Sequence, residues 1–125
     1  MDEQKGIAFC GLACCLCQEN PSCKGCRQGD CTDAQACKPY QCAQSEGYDG
    51  CWECPQFPCD FSLFASLRIR TFVSFSAQYG KDALLEALQR GEDKGLCYHY
   101  PGQLIGDYDT VQDEVSLIAL LGSLK

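Results

Sequence analysis

The chain lacks what several common classes of protein require. Met1 to Phe9 is acidic at its start and has none of the roughly 7- to 15-residue apolar run of a secretory leader. No window approaches the 18 or so consecutive apolar residues of a membrane span, so no membrane association is expected. Basic residues are scarce: Lys and Arg total 10 against 17 Asp and Glu, for a net charge of −7. Residues 1–62 hold only Lys5, Lys24, Arg27 and Lys38 against nine carboxylates. Nucleic-acid binding is therefore disfavoured, because it needs a basic stripe that displaces counterions from phosphate. His99 is the only histidine. There is no Gly-rich phosphate cradle, no Ser-His-Asp order and no His-Glu-x-x-His helix, so the sequence leans away from an enzyme.

Cysteine, by contrast, is abundant. Of 13 cysteines, 12 lie between Cys10 and Cys59. Such a density means either a disulfide scaffold in a secreted chain or thiolate metal ligands in a reduced compartment. The missing leader and the odd cysteine count favour the second, a cytoplasmic chain with metal-bound thiols. At 125 residues the chain is expected to form a single domain. It has a Cys-rich part, residues 10–59, and a mainly helical part, residues 60–125.

Zinc sites take tetrahedral thiolates, delivered as closely spaced pairs because a tight turn aims both sulfurs at one ion. Cys10-x3-Cys14, Cys14-x2-Cys17, Cys23-x2-Cys26 and Cys51-x2-Cys54 are such pairs, with looser partners at Cys31, Cys37, Cys42 and Cys59. The spacing of Cys23, Cys26 and Cys31 repeats at Cys51, Cys54 and Cys59. Gly11 and Gly25 sit where a missing Cβ would let the backbone turn around sulfur. One allowed site is Cys14, Cys17, Cys23 and Cys26; another is Cys42, Cys51, Cys54 and Cys59, with Cys37 as substitute. Interleaved pairings are equally allowed. About two zinc ions are expected, with some of Cys10, Cys15, Cys31 and Cys37 left as free or outer thiols. An iron-sulfur cluster is the chemical alternative, since it too is held by four thiolates. Cys10-x3-Cys14-x2-Cys17 resembles the cluster motif of radical S-adenosylmethionine enzymes, whose barrel this chain is too short to build.

Residues 18–60 are punctuated by Asn20-Pro21, Gly29-Asp30, Lys38-Pro39, Asp49-Gly50 and Phe57-Pro58, which predict loops and turns. With little apolar mass there, metal binding must supply the folding free energy. After Cys59 the pattern becomes helical. Asp60 or Ser62 is expected to cap a helix carrying Leu63, Phe64, Leu67, Phe72, Phe75 and Tyr79, stopped by Gly80. Residues 68–76 also alternate as a strand would, but the flanking pattern favours helix. Asp82 to Arg90 predicts a short helix stopped by Gly91. Thr110 to Asp113 has capping-box form and predicts a helix with Val115, Ile118 and Leu121 on one face, closed by Gly122. Glu92 to Asp109 is expected to be a loop or short hairpin. The fold class is thus small and α-rich, α plus irregular, with a metal-organised N-terminal half packed on a C-terminal bundle of about three helices.

Other reactive groups are few. Cys97 and His99 share a face if that segment is extended, yet nothing completes a nucleophile set, and His99 reads as a packed loop residue, with zinc ligation as the next reading. Asp107 and Asp109 could place two carboxylates on one face for acid-base work or a hard cation, but the commoner reading is residues leading into the cap at Thr110. Trp52, between two expected ligands, reads as a shield over the metal site. The aromatic segment 61–79 is apolar around much of its circumference, so part of it is a candidate homodimer or protein-partner surface, with internal burial as the commoner explanation.

Taken together, Cys10-Gly11-Leu12, Cys14-x2-Cys17, Cys23-Lys24-Gly25-Cys26-Arg27, Cys37-Lys38 with Cys42-Ala43, and Cys51-Trp52-Glu53-Cys54-Pro55-Gln56-Phe57-Pro58-Cys59 resemble the Cys-rich bacterial and archaeal domain-of-unknown-function family 3795. Weaker similarity continues to about Arg90. The chain departs from the family pattern at Pro39-Tyr40 and by the additional Cys15 and Cys31. The resemblance implies zinc binding and leaves the biological role open. The candidate ligands are Cys10, Cys14, Cys17, Cys23, Cys26, Cys37, Cys42, Cys51, Cys54 and Cys59. The functions that follow are a structural, protein-interacting zinc module, an iron-sulfur electron-transfer protein, or a thiol-based metal trafficking or sensing protein.

Overall fold

Four helices carry most of the architecture. A computed structural model describes residues 6–11, 13–16, 38–55, 57, 62–98, 100 and 106–124. Among these residues the helices are α1 (Lys38–Glu46), α2 (Leu67–Tyr79), α3 (Lys81–Asp93) and α4 (Glu114–Leu124), and there is no strand. Short 3-10 turns occupy Cys14–Leu16, Cys51–Glu53, Ser62–Ala65 and Asp107–Asp109. Helices α2, α3 and α4 all touch one another, which is the expected bundle of three.

Residues 68–76 alternate like a strand, yet they are helical because both ends are fixed. The side chain of Ser66 accepts from the Ile69 N–H at 3.4 Å, as an N-cap does. The helix therefore starts at Leu67; Asp60 and Ser62 do not open it, and Ser62–Ala65 is a separate turn. Gly80 ends the helix as expected. Its φ of +95° is in the left-handed region that glycine tolerates, and that one residue links α2 to α3.

The composition of α2 follows from its position in the middle of the molecule. Phe72 and Phe75 enter a cluster with Leu84 and Leu88 of α3 and Leu117 and Leu121 of α4. Ile69 and Val73 enter a second cluster with Ala8, Cys10, Cys51 and Phe64. Helix α2 thus has two apolar faces, and burial inside the fold accounts for its wide apolar circumference. In residues 61–79 the side chains described as exposed are Ala65, Ala77, Gln78 and Tyr79.

Two expected boundaries are displaced. Gly91 does not stop α3: it is buried inside the helix, where a Cβ would collide with the Tyr108 hydroxyl. The glycine is there for close approach. Helix α4 begins after Asp113, whose carboxylate accepts from the Ser116 N–H at 2.8 Å, so the cap is Asp113 and not Thr110. It also runs through Gly122 to Leu124. Its buried face is Leu117, Leu121 and Leu124, at i, i+4 and i+7, with Ile118 packed beside it. Val115, expected on that face, is 78% exposed.

The Cys-rich part contains a helix where only turns were expected. Pro39 is the second residue of α1, within the first turn, where its missing N–H costs no intrahelical bond. The N-terminal residues also do more than rest on the helices: Ile7, Ala13, Cys15 and Leu16 are buried in the main cluster. The Ala13 N–H donates to the Tyr98 hydroxyl at 3.0 Å across 85 positions of sequence. The Tyr98 ring stacks on Phe72 and lies 4.4 Å beneath the Arg68 guanidinium. Arg68 is itself buried and pairs with Asp109 at 3.2 Å.

The expected loop or short hairpin over Glu92 to Asp109 shows no strand among the described residues, although the Asp107 N–H donates to the Cys97 carbonyl at 2.7 Å. Its first residues, Glu92 and Asp93, belong to α3, and Asp107–Asp109 is a 3-10 turn. The Asp107 carboxylate accepts from the Cys97 N–H at 2.6 Å and the Tyr100 hydroxyl at 2.7 Å, and these bonds hold its pKa below the ordinary carboxylate value. Asp109 accepts from the Gly106 N–H at 2.8 Å. Both carboxylates thus hold the chain ahead of α4.

Candidate metal centre

Three of the expected ligands line one pocket, and local chemistry explains how. Helix α1 ends at Glu46. The Gly47 and Tyr48 N–H groups then donate to the Ala43 carbonyl at 2.9 and 3.1 Å, closing the helix and turning the chain back. Residues 47–50 return it to the Cys51–Glu53 turn, where the Cys54 N–H donates to the Cys51 carbonyl at 3.1 Å. Cys51-x2-Cys54 is therefore the tight turn that its spacing predicts. The Cys51 N–H donates to the Phe9 carbonyl at 2.8 Å, anchoring this turn to the N-terminal segment.

The pocket between α1 and this turn is lined by Pro39, Cys42, Ala43, Tyr48, Gly50, Cys51 and Cys54, with a cavity volume of about 30 Å³. A single water needs about 10–15 Å³ measured this way, so there is room for an ion-sized guest. Cys51 is buried, and Cys42 and Cys54 are half-buried. Among the described residues, no lysine or arginine lines the pocket. The Tyr48 phenol is held above its ordinary pKa, first by desolvation and then by the negative charge of Cys54, Glu46, Cys42 and Glu53. Desolvation disfavours either sign of charge, whereas the negative charge of these neighbours favours a cation.

The donor chemistry fits an ion that prefers sulfur, such as zinc or the iron of an iron-sulfur cluster. Sharing a pocket is less than forming a coordination sphere, however. Among the described residues, no group of three or more His, Cys, Asp or Glu side chains is arranged to hold a metal ion. The fourth member of the expected set, Cys59, and its substitute, Cys37, lie outside the described residues.

The other expected ligands divide in two. Cys17, Cys23 and Cys26 lie outside the described residues, as do Cys31, Gly25 and His99; of Cys14 only the backbone is described, in the Cys14–Leu16 turn. Cys10 is described and buried, and it belongs to the apolar cluster that contains Cys51. Gly11, expected to wrap the chain around sulfur, instead lies against α2, where a Cβ would stand 2.6 Å from Val73 Cγ2 and 3.0 Å from the Ile69 carbonyl. Cys15, an addition to the family pattern, is a core residue.

Trp52 does not line the cysteine pocket. It packs against both apolar clusters, joining them. The aromatic residue at the pocket is Tyr48, which neither spacing nor periodicity marks, because its position depends on how α1 closes. Pro39, read in sequence as a turn former, is the pocket's other unforeseen wall.

No curated protein and no solved structure matches the chain. The family model described as "Protein of unknown function (DUF3795)" matches residues 18–63, a stretch that includes Cys42, Cys51 and Cys54. The matched stretch, residues 18–63, holds most of the cysteine motifs that resemble that family.

Proposed function

We propose that the protein is a thiolate metal-binding module of the cytoplasm, holding about two zinc ions and presenting a surface to a protein partner. The observation that carries this reading is the convergence of Cys42 from α1 with Cys51 and Cys54 from the following turn on one small pocket. Cys59 or Cys37 would complete a four-thiolate set there. Cys14, Cys17, Cys23 and Cys26 would hold the second ion. Bound zinc would act as a crosslink, and these residues bind and orient it. That role suits a segment whose sequence holds little apolar mass, because metal affinity then adds directly to folding free energy.

The interaction role follows from the sequence, which offers few reactive groups besides cysteine. Among the described residues, the two carboxylates with the best claim to acid-base work, Asp107 and Asp109, accept hydrogen bonds from the chain's own groups. The deciding measurement is metal and sulfide content per chain after anaerobic purification. Zinc near two per chain, colourless and without inorganic sulfide, is the expected result. Iron with stoichiometric sulfide and a broad visible absorbance would move the protein to the iron-sulfur class. Zinc that exchanges readily with a weak chelator would favour trafficking or sensing.

A further inference from the structure

A second and much larger concavity lies on another side of the Cys51–Glu53 turn. It has a volume of about 560 Å³, bounded by that turn, the end of α2 and the start of α3. Three carboxylates line it, Asp49, Glu53 and Asp82, against one ammonium, Lys81. Two aromatic residues, Trp52 and Tyr79, complete the recognition surface. Tyr79, at 44% exposure, is one of only two large apolar side chains exposed among the described residues.

We infer that this groove receives a lysine or arginine side chain of a protein partner. Two observations point the same way. The groove already takes an ammonium of the chain itself, since Lys81 Nζ stands 3.0 Å from Asp49 Oδ2, both side chains being partly exposed. An incoming cation could replace or join it at little cost, because exposed ion pairs contribute only about 0–1 kcal/mol. The aromatic pair supplies π faces, which attract ammonium and guanidinium groups, and Trp52 is held in place by both apolar clusters.

Two terms oppose the cation, the Lys81 ammonium already in the groove and a helix end. Helix α3 starts at the groove, and a helix N-terminus carries the equivalent of about half a positive charge. Three carboxylates outweigh both, one of them Asp82 in that helix's first turn. The chain's net charge of −7 would steer a basic segment toward it. The partner's chemistry deepens the interaction role proposed above and rests on that part of it, independently of which metal is bound.

The test uses the full chain, with zinc content measured on the same sample, and an acetylated, amidated Gly-Ser peptide bearing two arginines. Trp52 is the only tryptophan, so its emission reports on the groove. Binding should be saturable and weakened by salt, and lost when glutamates replace the arginines. Glu53→Gln with Asp82→Asn should weaken it at least tenfold, while Lys81→Met, which removes the internal competitor, should strengthen it severalfold. Glu86→Gln with Asp93→Asn, outside the groove, should change it less than twofold. Glu53→Gln keeps an oxygen acceptor for the Asp49 N–H, which now donates to Glu53 Oε1, and circular dichroism checks that each variant is folded. No saturable response in the zinc-loaded chain overturns the inference and leaves the metal reading standing. Binding by a chain that holds no zinc supports the inference and sinks the metal reading. Equal weakening by the outside pair would mean diffuse attraction to an acidic surface and overturns the groove. Argininamide binding as tightly as the peptide overturns the protein partner.

Discussion

Replacing Gly91 by alanine tests the fold where sequence and structure disagree most directly. A glycine in a helix interior costs about 1 kcal/mol relative to alanine, so a glycine that merely terminated or punctuated α3 could be replaced with a gain. The structure predicts a loss. An added Cβ would meet the Tyr108 hydroxyl well inside contact distance, and the Leu96 and Leu124 methyl groups at 3.2 and 3.3 Å. Tyr108 cannot swing aside, since it is fully buried with its ring against Phe72 at a centroid separation of 5.7 Å. Overpacking of this kind costs about 1–3 kcal/mol. Set against the helix propensity gain, Gly91→Ala should destabilise by about 1 kcal/mol, or lower Tm by roughly 4 °C in a chain of this size.

The partner variant makes that prediction specific. The Tyr108 hydroxyl is buried without a hydrogen-bond partner, and burial pushes its pKa up to about 12, helped by the charges of Asp107, Glu92 and Cys15. Tyr108→Phe should therefore be neutral or mildly stabilising, because it removes an unsatisfied polar group. In that background Gly91→Ala meets no hydroxyl and should stabilise by several tenths of a kcal/mol or more. Urea unfolding of the four proteins, followed by circular dichroism at fixed metal content, gives the coupling directly. Additive effects, or a stabilising Gly91→Ala in the parent chain, would refute the packing argument.

Two further changes test the polar scaffold. Asp109→Ala should cost about 3 kcal/mol, because it takes the Asp109 carboxylate away from the buried Arg68 guanidinium and from the Gly106 N–H; a loss below ~1 kcal/mol in urea unfolding would show the pair to be screened like a surface one. Asp107 has a depressed folded-state pKa, so its contribution is present above the ordinary carboxylate value and is lost as pH falls through the lower folded value. Asp107→Asn should lower stability near neutrality and flatten the acid limb of a Tm–pH profile, and an unchanged acid limb would remove Asp107 from that account.

The helices were legible in the sequence wherever their signals are local. Gly80 ends α2 because a left-handed residue is needed there, and Leu84, Leu85 and Leu88 advertise α3. What misled was punctuation that tertiary contact had recruited for something else. Gly91 marks a close approach to Tyr108, and Gly11 a close approach to Val73; neither partner is near in sequence. Thr110 to Asp113 looks like a capping box, but the residue that caps is Asp113, which moves the helix start by three positions and turns Val115 outward. At the site, Cys51-x2-Cys54 was readable because a local turn sets it. That Cys42 faces the same pocket follows from how α1 closes on Gly47, and the match of residues 18–63 to a family of unknown function adds no role to any of them.

Cys51 ties the proposed site to the rest of the molecule, and the tie predicts what metal removal does. It lines the pocket with Cys42 and Cys54, and it also belongs to the apolar cluster with Cys10, Ile69 and Val73. A protonated cysteine is a small hydrophobe, so losing the ion returns Cys51 to surroundings that tolerate it. The cluster around Phe72, Leu88, Tyr108 and Leu117 draws nothing from the pocket's cysteines. Chelation should therefore loosen residues 38–54 while α2, α3 and α4 persist. Amide hydrogen exchange measured before and after addition of a strong zinc chelator reads this directly. Protection should fall across α1 and the Cys51–Glu53 turn, with exchange in α2 to α4 changed less than about threefold, since those amides open only with the core. Collapse of protection throughout would show that metal and core form one cooperative unit, contrary to the division of the two clusters at α2.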